Sequence, residues 1–280
     1  VITGGENMTA GDTYKIGVIL PMTGDAASYG EPARNIYQLA VDEINNAGGV
    51  EGKKLELIVE DGKCNGKDAS NAAQKLINTD NVKVILGGLC SSESLASVPV
   101  AEAAKVALFS AGSSSPDLTG KSDFFFRNYP SDASQGTVLA GVAYSKNSFK
   151  NVAFIQEQQD YALGIYKAFN AEFTKLGGTI TKEEFPKDAS DFKTQLTKLK
   201  ATNPDALFID AQTPAATQRI LKQLSDLQWK PKLIINDIVT SDTETLTTFK
   251  DVLEGAIGAE FITDPNNAKL KSLSENYKTK

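Results

Sequence analysis

Strand-like and helix-like segments alternate along nearly the whole 280-residue chain, and this confines it to an α/β architecture with mainly parallel sheets. Residues 14–20 alternate towards a buried strand. Residues 31–47 set Ala33, Ile36, Tyr37, Ala40, Ile44 and Ala47 on one face at the 3.6 period, and Gly48-Gly49 ends the helix. A strand at 55–61 precedes a helix at 68–79 with Ala69, Ala72, Ala73, Leu76 and Ile77 on one side. The nearly unbroken apolar run 82–89 predicts a parallel strand covered on both faces. A helix at 92–104 and a strand at 107–112 complete the first array.

The rhythm restarts after the aromatic run 124–127. The pattern predicts helices at 134–144, 161–176, 192–200 and 214–227, and strands at 151–156, 179–185, 206–211, 233–236 and 256–262. A polar helix at 267–278 follows. Two successive arrays predict two doubly wound lobes rather than one wide sheet. The first lobe is expected over 14–129 and 257–280, the second over 130–256, and the polar, glycine-rich 1–13 reads as a flexible leader left after processing.

Composition removes several function classes. With no histidine the commonest general base and metal ligand is missing, and two cysteines make no second ligand pair, so no metal site is expected. A net charge of −6 argues against a nucleic acid partner. No nucleophile elbow, phosphate-binding glycine loop, dinucleotide fingerprint or zinc-protease motif occurs, so no catalytic residue and no cofactor are assigned. Cys64 and Cys90 read either as free core thiols, usual in a cytosolic chain, or as a disulfide in an exported one.

In open α/β sheets ligands gather beyond the carboxyl ends of the strands, so the strand-to-helix loops carry the information. Serine-rich turns at 88–92 and 110–116 open onto helix starts, where hydroxyls and unpaired N–H groups suit a carboxylate. The plain alternative is that Ser91, Ser92 and Ser115 are caps or turn formers. Asp237 follows an apolar strand and is the candidate for facing an ammonium group; its alternative is a solvated or capping carboxylate. Tyr161 starts a helix and Tyr29 suits an apolar lid, while Asp25, Asp160 and Asp210 read as surface or cap residues.

Taken in order, six stretches resemble the branched-chain amino acid-binding proteins of ATP-driven importers, with the type I periplasmic-binding fold. They are 16–30 (IGVILPMTGDAASYG), 40–52 (AVDEINNAGGVEG), 61–64 with Asp68-Ala69, 87–92 (GGLCSS), 110–119 (SAGSSSPDLT) and 158–164 (QQDYALG). The resemblance implies an extracytoplasmic protein, periplasmic or anchored by lipid. Such a protein closes by a hinge on a small amino acid-like ligand in a cleft between lobes and serves the membrane subunits of an ABC importer. It implies that Ser91 meets the ligand carboxylate, that Gly112 offers backbone and Ser113 an auxiliary contact, and that Ser114 is shared between carboxylate and amine. Tyr161 would cover the ligand, Tyr29 and Leu89 would line its side chain, and Gln212 and Asp237 would stand at the amino group. Cys64 and Cys90 match the family's disulfide positions. Two departures stand out: Gln212-Thr213 replaces the aromatic residues of leucine-type binders, and the chain stops before the family's customary last elements. That second departure implies uncovered apolar faces and low stability. A receptor ectodomain of the same fold, or a binder of a small amide, aromatic acid or organic acid, are the competing readings. A repressor would need an N-terminal DNA-binding helix pair that 1–13 is too short to hold.

Overall fold

The computed structural model describes residues 13–279, and the expected leader lies almost wholly outside the described residues. The chain forms two compact units. One comprises the residues up to Gly112 with Lys121–Asn128 and the residues from Asp264; the other comprises Ser113–Gly120 and Tyr129–Thr263.

The first unit holds a five-stranded parallel sheet of β1 (Thr13–Leu20), β2 (Lys54–Asp61), β3 (Val84–Leu86), β4 (Ala107–Ser110) and β5 (Phe125–Arg127), in the order β2-β1-β3-β4-β5. Its connecting helices are α1 (Ala27–Asn46), α2 (Gly66–Asn78) and α3 (Ser91–Ala104). Asn65 caps α2 by accepting the N–H of Asp68 at 2.9 Å, and α2 buries Ala69, Ala72, Ala73 and Leu76, the stripe its periodicity predicts.

Three readings are corrected here. The apolar run 82–89 yields only the three residues of β3, because the chain leaves the ladder at Gly87. There φ is +132°, and a Cβ would stand 2.1 Å from the carbonyl oxygen of Ile19, so only glycine passes. Helix α1 begins four residues before the expected start, with Pro32 inside it. It buries Leu39 and Val41, while Ile36 and Ile44 of the predicted stripe are exposed. Apolar residues lie on more than one side of this helix, so periodicity alone chose the wrong one. Strand β5 went unassigned in the sequence because three residues are too few for an alternation signal.

The second unit has a parallel sheet in the order β10-β9-β8-β6-β7, built from β6 (Asn151–Glu157), β7 (Thr179–Phe185), β8 (Ala206–Asp210), β9 (Leu233–Ile235) and β10 (Ile257–Gly258). The helices are α4 (Asp132–Gly141, continued by a π-helical turn Val142–Lys146), α5 (Asp160–Lys175), α6 (Lys193–Ala201) and α7 (Pro214–Asp226). Three short helices follow β9: α8 (Asp237–Thr240), α9 (Thr243–Thr248) and α10 (Lys250–Leu253). The two-residue period of the strands divides the core. Val152, Phe154, Ala206, Phe208 and Ile234 meet Leu139, Ile165, Phe169 and Phe173 of α4 and α5. Ala153, Ile155, Leu207, Ile209, Leu233 and Ile235 meet Leu196, Leu199, Ile220, Leu221 and Leu224 of α6 and α7.

The strand expected over 256–262 shrinks to β10, which pairs with β9 and so belongs to the second unit. Beyond it, Phe261 packs edge-on against Tyr129 at 5.4 Å, and Glu260 accepts the Thr240 hydroxyl at 2.8 Å. The return to the first unit therefore falls at Asp264 rather than at 257. The last helix, α11 (Ala268–Thr279), belongs to the first unit and buries none of its residues. Among the described residues no helix is long and apolar enough to cross a membrane.

Candidate functional site

Parallel strands bring their carboxyl ends to one edge of each sheet, and the residues singled out in the sequence gather at those edges. Tyr29, Leu89, Ser91 and Gly112 fall in the first unit; Ser113, Ser114, Tyr161, Gln212 and Asp237 fall in the second.

In the first unit, the turn from β3 to α3 and the loop after β4 are tied together. Ser110 Oγ donates to the carbonyl of Gly88 at 2.6 Å and accepts the N–H of Gly112 at 3.3 Å. Gly112 lies so near Leu89 that a Cβ would stand 2.6 Å from Leu89 Cδ1. Ser91 is buried as the first residue of α3, and the position before it, the cap itself, is Cys90. Cys64 and Cys90 form a disulfide with Cα atoms 5.3 Å apart. Tyr29 packs against that disulfide and Ala26, so its ring is part of the wall that supports the turn.

The α3 start also holds a residue that the sequence reading passed over. Glu93, fully buried, accepts the N–H groups of Leu89 at 2.9 Å and Cys90 at 3.0 Å on Oε2, and that of Cys64 at 3.0 Å on Oε1. A Ser/Cys-x-x-Glu spacing into a helix is the signal that could have found it.

In the second unit, the strand ends deliver Gln156 and Glu157 from β6, Asp210 from β8, and Asn236-Asp237 after β9, all buried. Asp237 is 4% exposed. Its Oδ1 accepts the Tyr161 hydroxyl and its Oδ2 the Tyr129 hydroxyl at 3.1 Å. Burial first, and then the negative charge of Asp237, pushes both phenols well above the ordinary tyrosine range, so both remain protonated donors. Ser114 Oγ donates to Asp132 Oδ2 at 2.6 Å, and the Asp132 N–H returns to the Ser114 carbonyl at 3.0 Å. A hydroxyl has one proton, so towards any further partner Ser114 Oγ acts as an acceptor. Ser113 is fully buried, and Ser115 caps a 3₁₀ turn by accepting the N–H of Asp117 at 3.3 Å.

Asp210 is not a surface or cap residue. It is fully buried, and its Oδ1 accepts Asn236 Nδ2 at 3.1 Å. Burial, followed by repulsion from Asp132, Glu157 and Asp237, holds its carboxyl well above the usual range. Gln212 donates its backbone N–H to Glu157 Oε2 at 2.8 Å, and its Oε1 meets no donor among the described residues. Thr213 then caps α7, with Pro214 at its first position. Asp132, Tyr129, Glu157 and Asp210 were missed because each lies at an element end with no local pattern; only the pairing of distant strands assembles them. What the second unit offers is an acidic, acceptor-rich cluster at its strand ends, suited to a cationic or multiply N–H-bearing group.

Comparison with known proteins adds a family. The family model described as periplasmic binding protein matches residues 13–280. An amino acid binding protein of Pseudomonas aeruginosa is 29% identical over 235 residues, covering 83% of this chain and 62% of that protein. A Leu/Ile/Val-binding protein of Escherichia coli is 27% identical over 220 residues, covering 78% of this chain and 59% of that protein. The chain thus spans about three fifths of the length of the curated relatives it matches. Among solved structures, a leucine-binding protein from Thermotoga maritima superposes with a TM-score of 0.82 at 29% identity, covering 95% of this chain and 77% of that one. A solute-binding protein of an ABC transporter from Rhodopseudomonas palustris, in complex with 3,4-dihydroxybenzoic acid, gives 0.81 at 28%, covering 96% and 74%.

Proposed function

The chain belongs to the periplasmic binding protein family, and from that premise we propose that it is an extracytoplasmic solute-binding protein that captures a small amino acid-like ligand and delivers it to an ABC importer. The observation that carries the reading is Asp237: a buried carboxylate at a strand end, braced on both oxygens by tyrosine hydroxyls. An ammonium group arriving there completes a charge-assisted set of hydrogen bonds in a water-poor setting. Ser114, whose proton is committed to Asp132, accepts from the same ammonium. Ser91, with Gly112 and Ser113, serves the ligand carboxylate, Leu89 and Tyr29 its side chain, and Gln212 stands with Asp237 at the amino group. Ligand contact favours the bound conformation that the importer recognises. The protein acts as a binder, not a catalyst, in the periplasm or at the outer surface, with lipid anchoring as one route of retention.

A second reading is kept because a relative of equal similarity holds an aromatic acid with no amine. Thermal-shift screening against the twenty amino acids, small amides, and aromatic and organic acids separates the two. A rise of a few degrees with an amino acid, lost in Asp237→Ala and Ser91→Ala, supports the first reading. A rise confined to acids without an amine replaces it with the second.

A further inference from the structure

The N-terminal turn of α3, where a ligand carboxylate is expected, already holds a carboxylate of the chain's own. All three partners of Glu93 are backbone N–H donors, from Cys64, Leu89 and Cys90. Three donors on two oxygens suit the ionised group best: a carboxylic acid still accepts here but more weakly, and the NH₂ of an amide would face an N–H head-on. The surrounding backbone is shaped to this side chain. A Cβ on Gly62 would stand 2.3 Å from Glu93 Oε1, and one on Gly88 2.2 Å from Glu93 Cβ. The disulfide joins the same two loops, and Ser94 Oγ adds a bond to the Gly88 carbonyl at 3.1 Å.

We propose that Glu93 is the positioning residue of the first-unit half-site: its ionised carboxylate fixes the Leu89–Cys90 turn and thereby aims Ser91 at the ligand. The aim towards a ligand rests on the function proposed above; the bracing of the turn does not. Burial, opposed by the three N–H bonds and aided by the charge of Asp61, sets Glu93 up to about 7. Asp61, at the end of β2, is itself held by the Met22 N–H, the Thr23 hydroxyl and the Lys63 N–H, and the Lys63 ammonium pairs with Asp68 at the start of α2. The disulfide sulfurs do not titrate, and β1 presents Ile19 to this region. Glu93 therefore changes charge near neutral pH; while the side chain stays buried, its protonated form holds the three N–H groups less strongly, and the turn loosens as the medium acidifies.

Amide hydrogen exchange of the full chain tests the bracing. Between pH 8.5 and 5.5, the protection factors of the Cys64, Leu89 and Cys90 amides fall about tenfold or more with a midpoint near 7, while those of β6 and β8 stay level. Glu93→Gln gives low, pH-independent protection at the same three amides. Flat protection in the unaltered chain across this range overturns the proposal, with no variant needed; so does retained protection in Glu93→Gln. Calorimetry with leucine is run alongside. Affinity that drops about tenfold in Glu93→Gln, and loses its pH dependence, ties the turn to capture. An unaltered affinity in that variant overturns the aiming role. Absence of leucine binding at every pH, with the exchange pattern present, counts against the ligand reading and in favour of the bracing.

Discussion

The Tyr161 hydroxyl donates to Asp237 Oδ1 across 76 positions of sequence, and the Tyr129 hydroxyl closes the other oxygen. Each phenol gains a strong acceptor, and the carboxylate gains two neutral donors that leave its charge uncompensated. In the proposed reading a ligand ammonium supplies the missing cation. Asp237→Asn removes that charge while keeping the shape. Losing one partner of a buried charge pair costs roughly 2–5 kcal/mol, so leucine affinity falls at least ~30-fold by calorimetry. A change below threefold would remove the ammonium from this site.

The order of strands and helices was legible because both sheets are parallel and their interior strands read as apolar runs; residues 179–185 even match β7 exactly in extent. Legibility failed where tertiary contacts overrule local pattern. The exposed Ile36 and the buried Val41 of α1 are set by which side meets the sheet, not by periodicity. Of the second unit's strand-end cluster, Asp237 and Tyr161 could be singled out because one follows an apolar strand and the other opens a helix. Asp210 stands at a strand end too, but its role depends on Asn236 and three other carboxylates brought in from separate elements, which no window of sequence contains.

Asp210 gives a prediction of sign. Its folded carboxyl lies above the unfolded one, so its stabilising contribution is full below the unfolded value near 4 and is lost as pH rises through the folded value. Asp210→Asn keeps an oxygen for Asn236 Nδ2 and removes the ionisation. Urea denaturation at pH 8 is expected to find the variant as stable as the parent or more so, with the advantage fading towards pH 4. A variant less stable at pH 8 than at pH 4, each relative to the parent, would show that Asp210 is charged and compensated.

Glu93 titrates in the same sense for stability and the opposite sense for shape. Raised to about 7 from 4.5, it contributes stability that is present below 4.5 and lost as pH rises through about 7. The difference in unfolding free energy between the parent and Glu93→Gln is expected to shift by up to about 3 kcal/mol against the parent over that window. Leucine affinity of the parent moves the other way, strengthening as the carboxylate ionises and the turn sets. Denaturation and calorimetry at matched pH values check both; parallel trends would separate Glu93 from the binding turn.

The disulfide sits at the junction of these effects, since Cys64 and Cys90 supply two of the three N–H groups on Glu93 as well as the covalent tie. Its sulfurs are buried beside Ala26 with Tyr29 packed over them. Closing this loop is worth about 3–4 kcal/mol through the unfolded chain. The paired substitution Cys64→Ser with Cys90→Ser therefore lowers the melting temperature by roughly 10 °C. Because the pair also fixes the spacing between the Cys64 and Cys90 amides, the variant loses exchange protection at both, even at pH 8. A melt shifted by the expected amount with those amides still protected would mean that Glu93 holds the turn unaided, and that the covalent bond serves stability alone.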